Sequence, residues 1–436
     1  MSRTTVSIVG KPNVGKSTLF NRLVGGRSAI TEDFEGVTRD RIYGSCTWLQ
    51  KSFSLIDTGG FMPDTDDPML SSMQLQTQFA IEEADVILCL FDGQAELTMT
   101  DYEIVTRLRQ SKKPVYYVAN KIDGPEHEAK IFDLYHLGIA NIIPISAEHK
   151  RGLDELLDRV CEHVQVIKDD EQDNAVMRIA VVGRPNAGKS SLINQLLGQE
   201  RMLVTDIAGT TRDAIDSDFS FNGSHYTFID TAGIRRKSKI TDPVERYSVV
   251  RAFKSIDRSH IAFVMLDATQ GVTDQDARIA GYAHNNGRAV LLLVNKWDLI
   301  EKDTSTAGNF AIDIKYKLKY LDYAPIIFVS ALTGQRVLKT LALADSMFAQ
   351  YNKRVSTSKI NTALQEIVQQ HHPPVYKGHQ VKFYYGTQNA VRPPTLTLFC
   401  NYPDGVHFSY RRYLTNQFRE YFGFHEIPLH LRIQAR

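Results

Sequence analysis

Two stretches of one chain, GKPNVGKSTLFNRL (10–23) and GRPNAGKSSLINQL (183–196), repeat the same order of glycine, lysine and hydroxyl residues. A glycine turn of this kind requires a strand to end, a loop to curl and a helix to begin within a few residues. The match extends far beyond the turn. TVSIVG (5–10) pairs with RIAVVG (178–183), SFSLIDT (52–58) with YTFIDT (226–231), and VILCLFDG (86–93) with IAFVMLDA (261–268). PVYYVANK (114–121) pairs with AVLLLVNK (289–296), and NIIPIS (141–146) with IIFVS (326–330). The spacing is 173 residues for Lys16 and Lys189, for Thr38 and Thr211, and for Asp57 and Asp230. It is 175 for Asn120 and Asn295, and 184 for Ser146 and Ser330, so the second copy gains loop residues late. Apolar strands alternating with helical stretches predict α/β domains, each a doubly wound, mostly parallel sheet covered on both faces.

The predicted organisation is a first α/β domain over 1–167, an acidic linker over 168–175 carrying KDDEQDN, a second α/β domain over 176–351, and a small α+β domain over 352–436. Net charge is only +1, but it is unevenly spread. From Lys353 onward there are 11 Lys/Arg against 4 Asp/Glu, a local +7 on a body of net −6, which suggests a polyanionic partner. Cys46, Cys89, Cys161 and Cys400 are far apart and form no metal-binding spacing. No apolar run approaches a membrane span, and MSRTTVSIVG leaves no room for a signal peptide. A cytoplasmic chain with no membrane partner, acting as a monomer, is the expectation.

Gly10-Lys11-Pro12-Asn13-Val14-Gly15-Lys16-Ser17, followed by Thr18, is a P-loop; Gly183-Arg184-Pro185-Asn186-Ala187-Gly188-Lys189-Ser190, followed by Ser191, is another. Backbone N–H groups there cradle phosphate oxygens, and the helix N-terminus adds partial positive charge. Lys16 and Lys189 are placed to bridge the β- and γ-phosphates, while Ser17 and Ser190 offer hydroxyls to Mg²⁺, which prefers hard oxygen ligands. Asn120-Lys121-Ile122-Asp123 and Asn295-Lys296-Trp297-Asp298 choose the base. A carboxylate at Asp123 or Asp298 accepts hydrogen bonds from guanine N1–H and its 2-amino group; adenine has neither donor there. Ser146-Ala147 and Ser330-Ala331 are placed against the guanine O6. The predicted ligands are GTP and GDP.

Asp57-Thr58-Gly59-Gly60 and Asp230-Thr231-Ala232-Gly233 end the next strands. Their aspartates are read as Mg²⁺ ligands through water, and Gly60 and Gly233 as backbone donors to the γ-phosphate. Thr38 and Thr211 complete the Mg²⁺ shell when a γ-phosphate is present, an order–disorder switch. Ras-type enzymes orient the attacking water with a glutamine after this glycine; here Phe61 and Ile234 stand instead, so slow unaided hydrolysis is expected.

Two such repeats followed by PPTLTLFCNYPDGVHFSYRRYLTNQFREYFGF (393–424) resemble the EngA/Der family over essentially the whole chain. The resemblance implies two Era-like G domains, a KH-like C-terminal domain, GTP hydrolysis, and a role in ribosome biogenesis through the large (50S) subunit and its rRNA. It also implies K⁺ held with help from Asn13 and Asn186, standing in for an arginine finger. The chain departs from the family at Phe34-Glu35, usually Thr-Pro, and at Lys150, usually glycine. The tail lacks GxxG, the loop with which ordinary KH domains clamp nucleic-acid backbone.

Lys377, Lys382, Arg411, Arg412 and Arg419 are the candidate RNA contacts, against the plainer reading of a solvated helix face for the arginines. Tyr384, Tyr385 and Phe399 are read as sheet core in preference to base-stacking platforms. Arg235-Arg236-Lys237, directly after the second DxxG, is expected to place a basic surface under nucleotide control. Of the rival readings, a tRNA-modification GTPase would carry a modification domain, and a membrane-remodelling GTPase an apolar anchor. A binding scaffold with one catalytically silent G domain is the remaining alternative.

Overall fold

The computed structural model describes residues 4–24, 43–49, 51–58, 78, 81–82, 84–124, 131–139, 141–164, 176–198, 203–204, 216–231 and 245–436. The 168–175 linker, both threonines Thr38 and Thr211, the stretch Gly59 to Phe61, the stretch Ala232 to Ile234 and the Arg235-Arg236-Lys237 run lie outside the described residues. Two compact units form, Met1–Asp169 and Asp170–Arg436. Among the described residues no helix is long and apolar enough to cross a membrane.

In the first unit β1 (Thr5–Val9) leads through the P-loop into α1 (Lys16–Val24). Then come β2 (Tyr43–Trp48), β3 (Lys51–Asp57), β4 (Val86–Asp92), α2 (Met99–Arg109), β5 (Val115–Asn120), β6 (Ile142–Pro144) and α3 (Leu153–Glu162). The sheet order is β2-β3-β1-β4-β5-β6, parallel except for the β2/β3 pair at the edge. Apolar side chains from β1 and β4 fill two separate cores, because successive residues of a strand point to opposite faces. Connections reverse at β1, which neighbours both β3 and β4, so loops at the strand C-termini open a crevice there.

The second unit repeats this plan. β7 (Val176–Gly183), α4 (Lys189–Leu197), β8 (Leu203–Val204), β9 (Ser217–Phe221), β10 (Ser224–Ile229), α5 (Glu245–Arg258) and β11 (Ile261–Asp267) come first. They are followed by α6 (Asp274–Asn285), β12 (Ala289–Asn295), α7 (Thr306–Lys317), β13 (Ile326–Phe328) and α8 (Val337–Tyr351). The order is β13-β12-β11-β7-β10-β9-β8, with the antiparallel edge begun by a tight turn at Asn222-Gly223, both at positive φ. Then α9 (Thr357–Gln370), the short hairpin β14 (Val375–Tyr376) and β15 (His379–Gln380), β16 (Phe383–Ala390), β17 (Thr395–Cys400), α10 (Phe408–Phe422) and β18 (His430–Ala435) build a KH-like domain. Its sheet order is β16-β17-β18, mixed antiparallel and parallel.

This last domain has its own sheet but shares its core. One apolar cluster runs from β7 and β11 through α8 into α9, β17 and α10. Tyr351, fully buried, donates its hydroxyl to the Gly287 carbonyl at 2.7 Å. Gly287, at φ +67, lies so near Pro393 that a Cβ would come within 2.7 Å of that ring. Glu426 accepts from Ser346 Oγ and Gln350 Nε2 at 2.9 and 2.8 Å.

Two sequence expectations are corrected here. Arg419 is not a free RNA contact: its Nη1 donates to the Phe424 and Ile427 carbonyls at 2.8 and 2.7 Å, and its guanidinium lies 4.5 Å from the Tyr323 ring centroid. Burial holds its pKa below the usual arginine value. Tyr384 and Tyr385 are not core; they are 47% and 40% exposed. A register shift between Phe383 and Tyr385 turns both tyrosines to one side, where a regular strand would alternate them. Arg412, Lys377 and Lys382 are exposed, and Arg411 is half-buried with its Nε donating to the Val406 carbonyl at 3.2 Å.

Candidate nucleotide sites

Each P-loop leaves its strand through a glycine at φ near +150°, Gly10 at 149° and Gly183 at 145°. A Cβ there would meet the Leu90 or Met265 carbonyl at 2.4 or 2.6 Å. The asparagines Asn13 and Asn186 follow at φ 65° and 61°, in the left-handed region that Asn tolerates better than most residues. The ammonium of Lys16 donates to the Gly10 and Lys11 carbonyls, both at 2.8 Å, and Lys189 donates to Gly183 and Arg184 in the same way. Burial lowers the Lys16 pKa, opposed by the nearby Asp57 carboxylate. Poor hydration leaves an ammonium seeking a fixed anion, which is what a phosphate offers.

The asparagine of NKxD holds the crevice together. Asn120 Nδ2 donates to the Val14 carbonyl at 2.8 Å while its Oδ1 accepts from the Ala147 backbone at 3.0 Å. Asn295 makes the same two bonds to Ala187 and Ala331, at 2.8 and 2.9 Å. Gly15 and Gly188 must be glycine for this contact, since a Cβ would stand 2.2 or 2.1 Å from the asparagine amide. The P-loop, the NKxD strand end and the Ser-Ala loop are thereby tied into one body in each unit. Lys121 and Lys296 pair with Asp92 and Asp267, both at 2.6 Å. Burial works to raise those two carboxyl pKa values, but the hydrogen bonds from the lysines and neighbouring groups hold both below the usual range.

In the first site Ser146 Oγ donates to Asp123 Oδ1 at 2.6 Å. In the second, Asp298 Oδ1 is buried with no hydrogen-bond partner among the described residues. A buried acceptor without a donor is costly, and a guanine N1–H or 2-amino group supplies the missing donor. Ile122 and Trp297, between the lysine and the aspartate, are buried. On the metal side Ser17 Oγ donates to Asp57 Oδ2 at 2.7 Å, and Thr58 Oγ1 donates to the Ile8 carbonyl. A hydroxyl and a carboxylate in contact form an all-oxygen donor set of the kind Mg²⁺ takes. Thr231 shares a hydrogen bond with Ser217 at 2.7 Å. Pro12, Pro185 and Ser191 contribute no side-chain hydrogen bond to this geometry among the described residues.

Two anchoring residues escape the sequence motifs. Lys11 Nζ reaches Asp101 Oδ2 at 2.9 Å, and Arg184 Nε reaches Asp276 Oδ2 at 3.0 Å. Asp101 and Asp276 are 1% and 0% exposed, and each closes a capping box with Thr98 or Thr273 at the start of α2 or α6. The second residue of each P-loop is thus anchored to a buried carboxylate at a helix N-terminus, where the helix dipole favours it. The signal is present in the sequence: Thr98 and Thr273, like Asp101 and Asp276, keep the 175-residue register.

Similarity to known proteins follows the same division of the chain. The family described as "50S ribosome-binding GTPase" matches residues 5–121 and again 178–296. The family described as "KH-domain-like of EngA bacterial GTPase enzymes, C-terminal" matches residues 354–434. The GTPase Der of Geobacter metallireducens is 52% identical over 431 residues, 99% of this chain and 98% of that protein. The GTPase Der of Caldanaerobacter subterraneus subsp. tengcongensis is 49% identical over 437 residues, covering 100% and 99%.

Proposed function

The chain belongs to the EngA/Der family and is a GTP hydrolase, and from that premise we propose that it is a ribosome-biogenesis factor whose two G domains gate binding to the large ribosomal subunit. The observation that carries the reading is that both site-bearing segments match a family described as ribosome-binding, each with its own phosphate, base and metal-side residues. In each site Lys16 or Lys189 holds the β- and γ-phosphates, and Asp123 or Asp298 reads guanine. Ser17 and Ser190, with Thr38 and Thr211, would hold Mg²⁺ by their hydroxyl oxygens, and Asp57 and Asp230 would hold it through water. That ion, when bound, neutralises charge on the phosphate oxygens. Asn13 and Asn186 are the residues assigned to K⁺.

The chain supplies no water-orienting side chain at Phe61 or Ile234, so hydrolysis is slow until K⁺ or the ribosomal partner adds what is missing. The factor acts as a cytoplasmic monomer. Arg411, Arg412, Lys377 and Lys382 meet rRNA phosphates in this reading, and the shared core lets the second G domain carry the KH-like domain as one body. A ligand shifts such an arrangement only through different affinities for its alternatives.

Co-sedimentation with purified ribosomal subunits tests the reading, comparing a non-hydrolysable GTP analogue, GDP and no nucleotide. Analogue-dependent pelleting with the large subunit, weakened by salt, is the expected result. Pelleting that is equal in all three conditions sinks the gating, and no pelleting sinks the ribosomal role. Replacing K⁺ by Na⁺ in the turnover assay is expected to slow hydrolysis.

A further inference from the structure

The outer face of the β16-β17-β18 sheet is not used by either nucleotide site. The register places Tyr385 opposite Phe399, and Phe399 opposite Gln434; Arg432 and Arg436 lie two residues to either side of Gln434, on the same face. Tyr385 and Phe399 stack with centroids 4.5 Å apart and ring planes 19° from parallel. The Arg436 guanidinium lies 5.1 Å from the centroid of Tyr384. Arg432, Gln434 and Arg436 are exposed, and so is Lys382 immediately before β16. The opposite face is the apolar one: Leu396, Leu398 and Cys400 point into the core with α9 and α10.

A strand that only needed to cover the core would not turn two tyrosines outward. The register shift at Phe383–Tyr385 does that, and bulges commonly re-aim side chains in this way. No acidic residue occurs in β16, β17 or β18. Flat aromatic rings beside arginines, with no acidic side chain in these strands to repel phosphate, match the chemistry of unpaired bases on a charged backbone. They do not match a duplex, whose bases are stacked on one another.

We propose that the exposed end of this sheet face, around Tyr384, Tyr385 and Arg436, is a stacking platform for a single-stranded stretch of RNA. Tyr384 and Tyr385 offer aromatic surface to bases, Phe399 backs Tyr385 by stacking on it, and Arg432 and Arg436 meet the flanking phosphates. The platform replaces the missing GxxG clamp and lies on the other side of the sheet from the helices. It deepens the RNA-binding reading above and rests on it.

The test uses the full chain and a short, unstructured uridine-rich RNA oligonucleotide carrying 5-iodouridine and a fluorophore. Binding is followed by anisotropy, and the photo-crosslinked peptide is identified by mass spectrometry. Wild-type protein is expected to bind in a salt-dependent way and to crosslink at Tyr384, Tyr385 or Phe399. Tyr384→Ala with Tyr385→Ala is expected to weaken binding about tenfold or more, with GTP turnover unchanged. Arg432→Glu, at an exposed position, gives the same direction and lowers the salt slope by about 0.7 for each phosphate no longer neutralised. Melting curves of each variant show that the sheet still folds.

The proposal is overturned if the wild type does not bind the oligonucleotide, if the variants bind it as tightly, or if the crosslinks map to α10. Loss of subunit pelleting in variants, without any binding of the oligonucleotide, would make the face a protein-docking surface. Wild-type pelleting with ribosomal subunits is measured alongside. It reports on the ribosomal reading alone, so the two can fail separately.

Discussion

The two nucleotide sites are built on one plan, yet the backbone after each metal-side strand is tethered differently. Asp57 is the last residue of a regular strand and accepts from Ser17 Oγ at 2.7 Å. Asp230 follows its strand at φ +57°, and its N–H donates to Asp216 Oδ1 at 2.9 Å. Arg258, at the end of α5, pairs with the other oxygen of Asp216 at 2.5 Å. Tyr43 stands at the matching register of the first copy, with no carboxylate to offer. The second site thus has a mechanical link from its DxxG backbone to the helix behind it. A second contrast is one of position. Gly334, at φ +78°, is answered in the first copy by Lys150 at φ +60°, while Gly152, at φ +71°, is answered in the second by Arg336 at φ +58°, so each Ser-Ala loop carries one strained non-glycine residue, at opposite positions. Duplication preserves the hydrogen bonds that shape the crevice and lets the supports around it diverge.

That contrast can be broken by removing each phosphate lysine alone. Lys16→Ala and Lys189→Ala are each expected to lower kcat at their own site by about 10²- to 10³-fold, as for other lost transition-state donors. Single-turnover assays on the two variants check it. Unchanged total turnover in one variant would mark that site as silent and end the symmetry of function.

Acid is expected to separate the two units. Burial pushes His284 and His430 down to about 4 from 6.5, reinforced at His284 by His430 and Arg419 and at His430 by Arg432 and Arg419. Both histidines fold as neutral bases, while in the unfolded chain they take up protons from about pH 6.5 downward. The stability they contribute is therefore whole above that pH and is lost as pH falls toward about 4, by about 3 kcal/mol for one histidine. The second unit should melt progressively earlier across this window, and His284→Asn should flatten its pH dependence. Tyr323, which hydrogen-bonds His284 at 2.8 Å and lies under Arg419, ties this titration to the seam between the second G domain and the KH-like domain.

Base reading offers a finer comparison. Asp123→Asn and Asp298→Asn each weaken guanine binding, by roughly a hundredfold for the loss of charge-assisted bonds. The effect is expected to be larger at Asp298, whose buried Oδ1 has no donor among the described residues to fall back on. Titration with a fluorescent GDP analogue, on chains with the other site disabled, measures both. The smallest effects are local. Asp216→Ala, which removes both the Asp230 N–H bond and the Arg258 ion pair, should slow only the second site, by about fivefold or more. Lys150→Gly should stabilise the first unit by about 1 kcal/mol, seen as a raised melting temperature. Lys11→Arg should be nearly neutral, because Arg184 already fills that role in the second copy.

Much of both sites is legible without coordinates, because each motif carries its own geometry. The glycines at 10, 15, 183 and 188 mark places where backbone or an asparagine amide comes too close for a side chain. The apolar strands announce their order of appearance, and their register across copies locates both sets of site residues. Less visible is what those residues touch. The motif alone puts Asn120 and Asn295 in the base site; their hydrogen bonds make them the clamps that hold three loops together. The anchors Asp101 and Asp276 stay hidden because a capping box reads as a helix start and nothing more.

Local sequence decided the turns, caps and strand lengths, since these depend on a few neighbouring residues and on backbone sterics. Only the tertiary structure decided where Arg419 goes, that the KH-like domain shares its core with the second G domain, and that Tyr384 and Tyr385 face outward. Each of those outcomes turns on which remote segment lies alongside: Tyr323 for the arginine, α8 for the shared core, and the register of β17 for the tyrosines. Short-range preferences cannot specify a partner far along the chain, and packing against that partner is what settles the side chain's role.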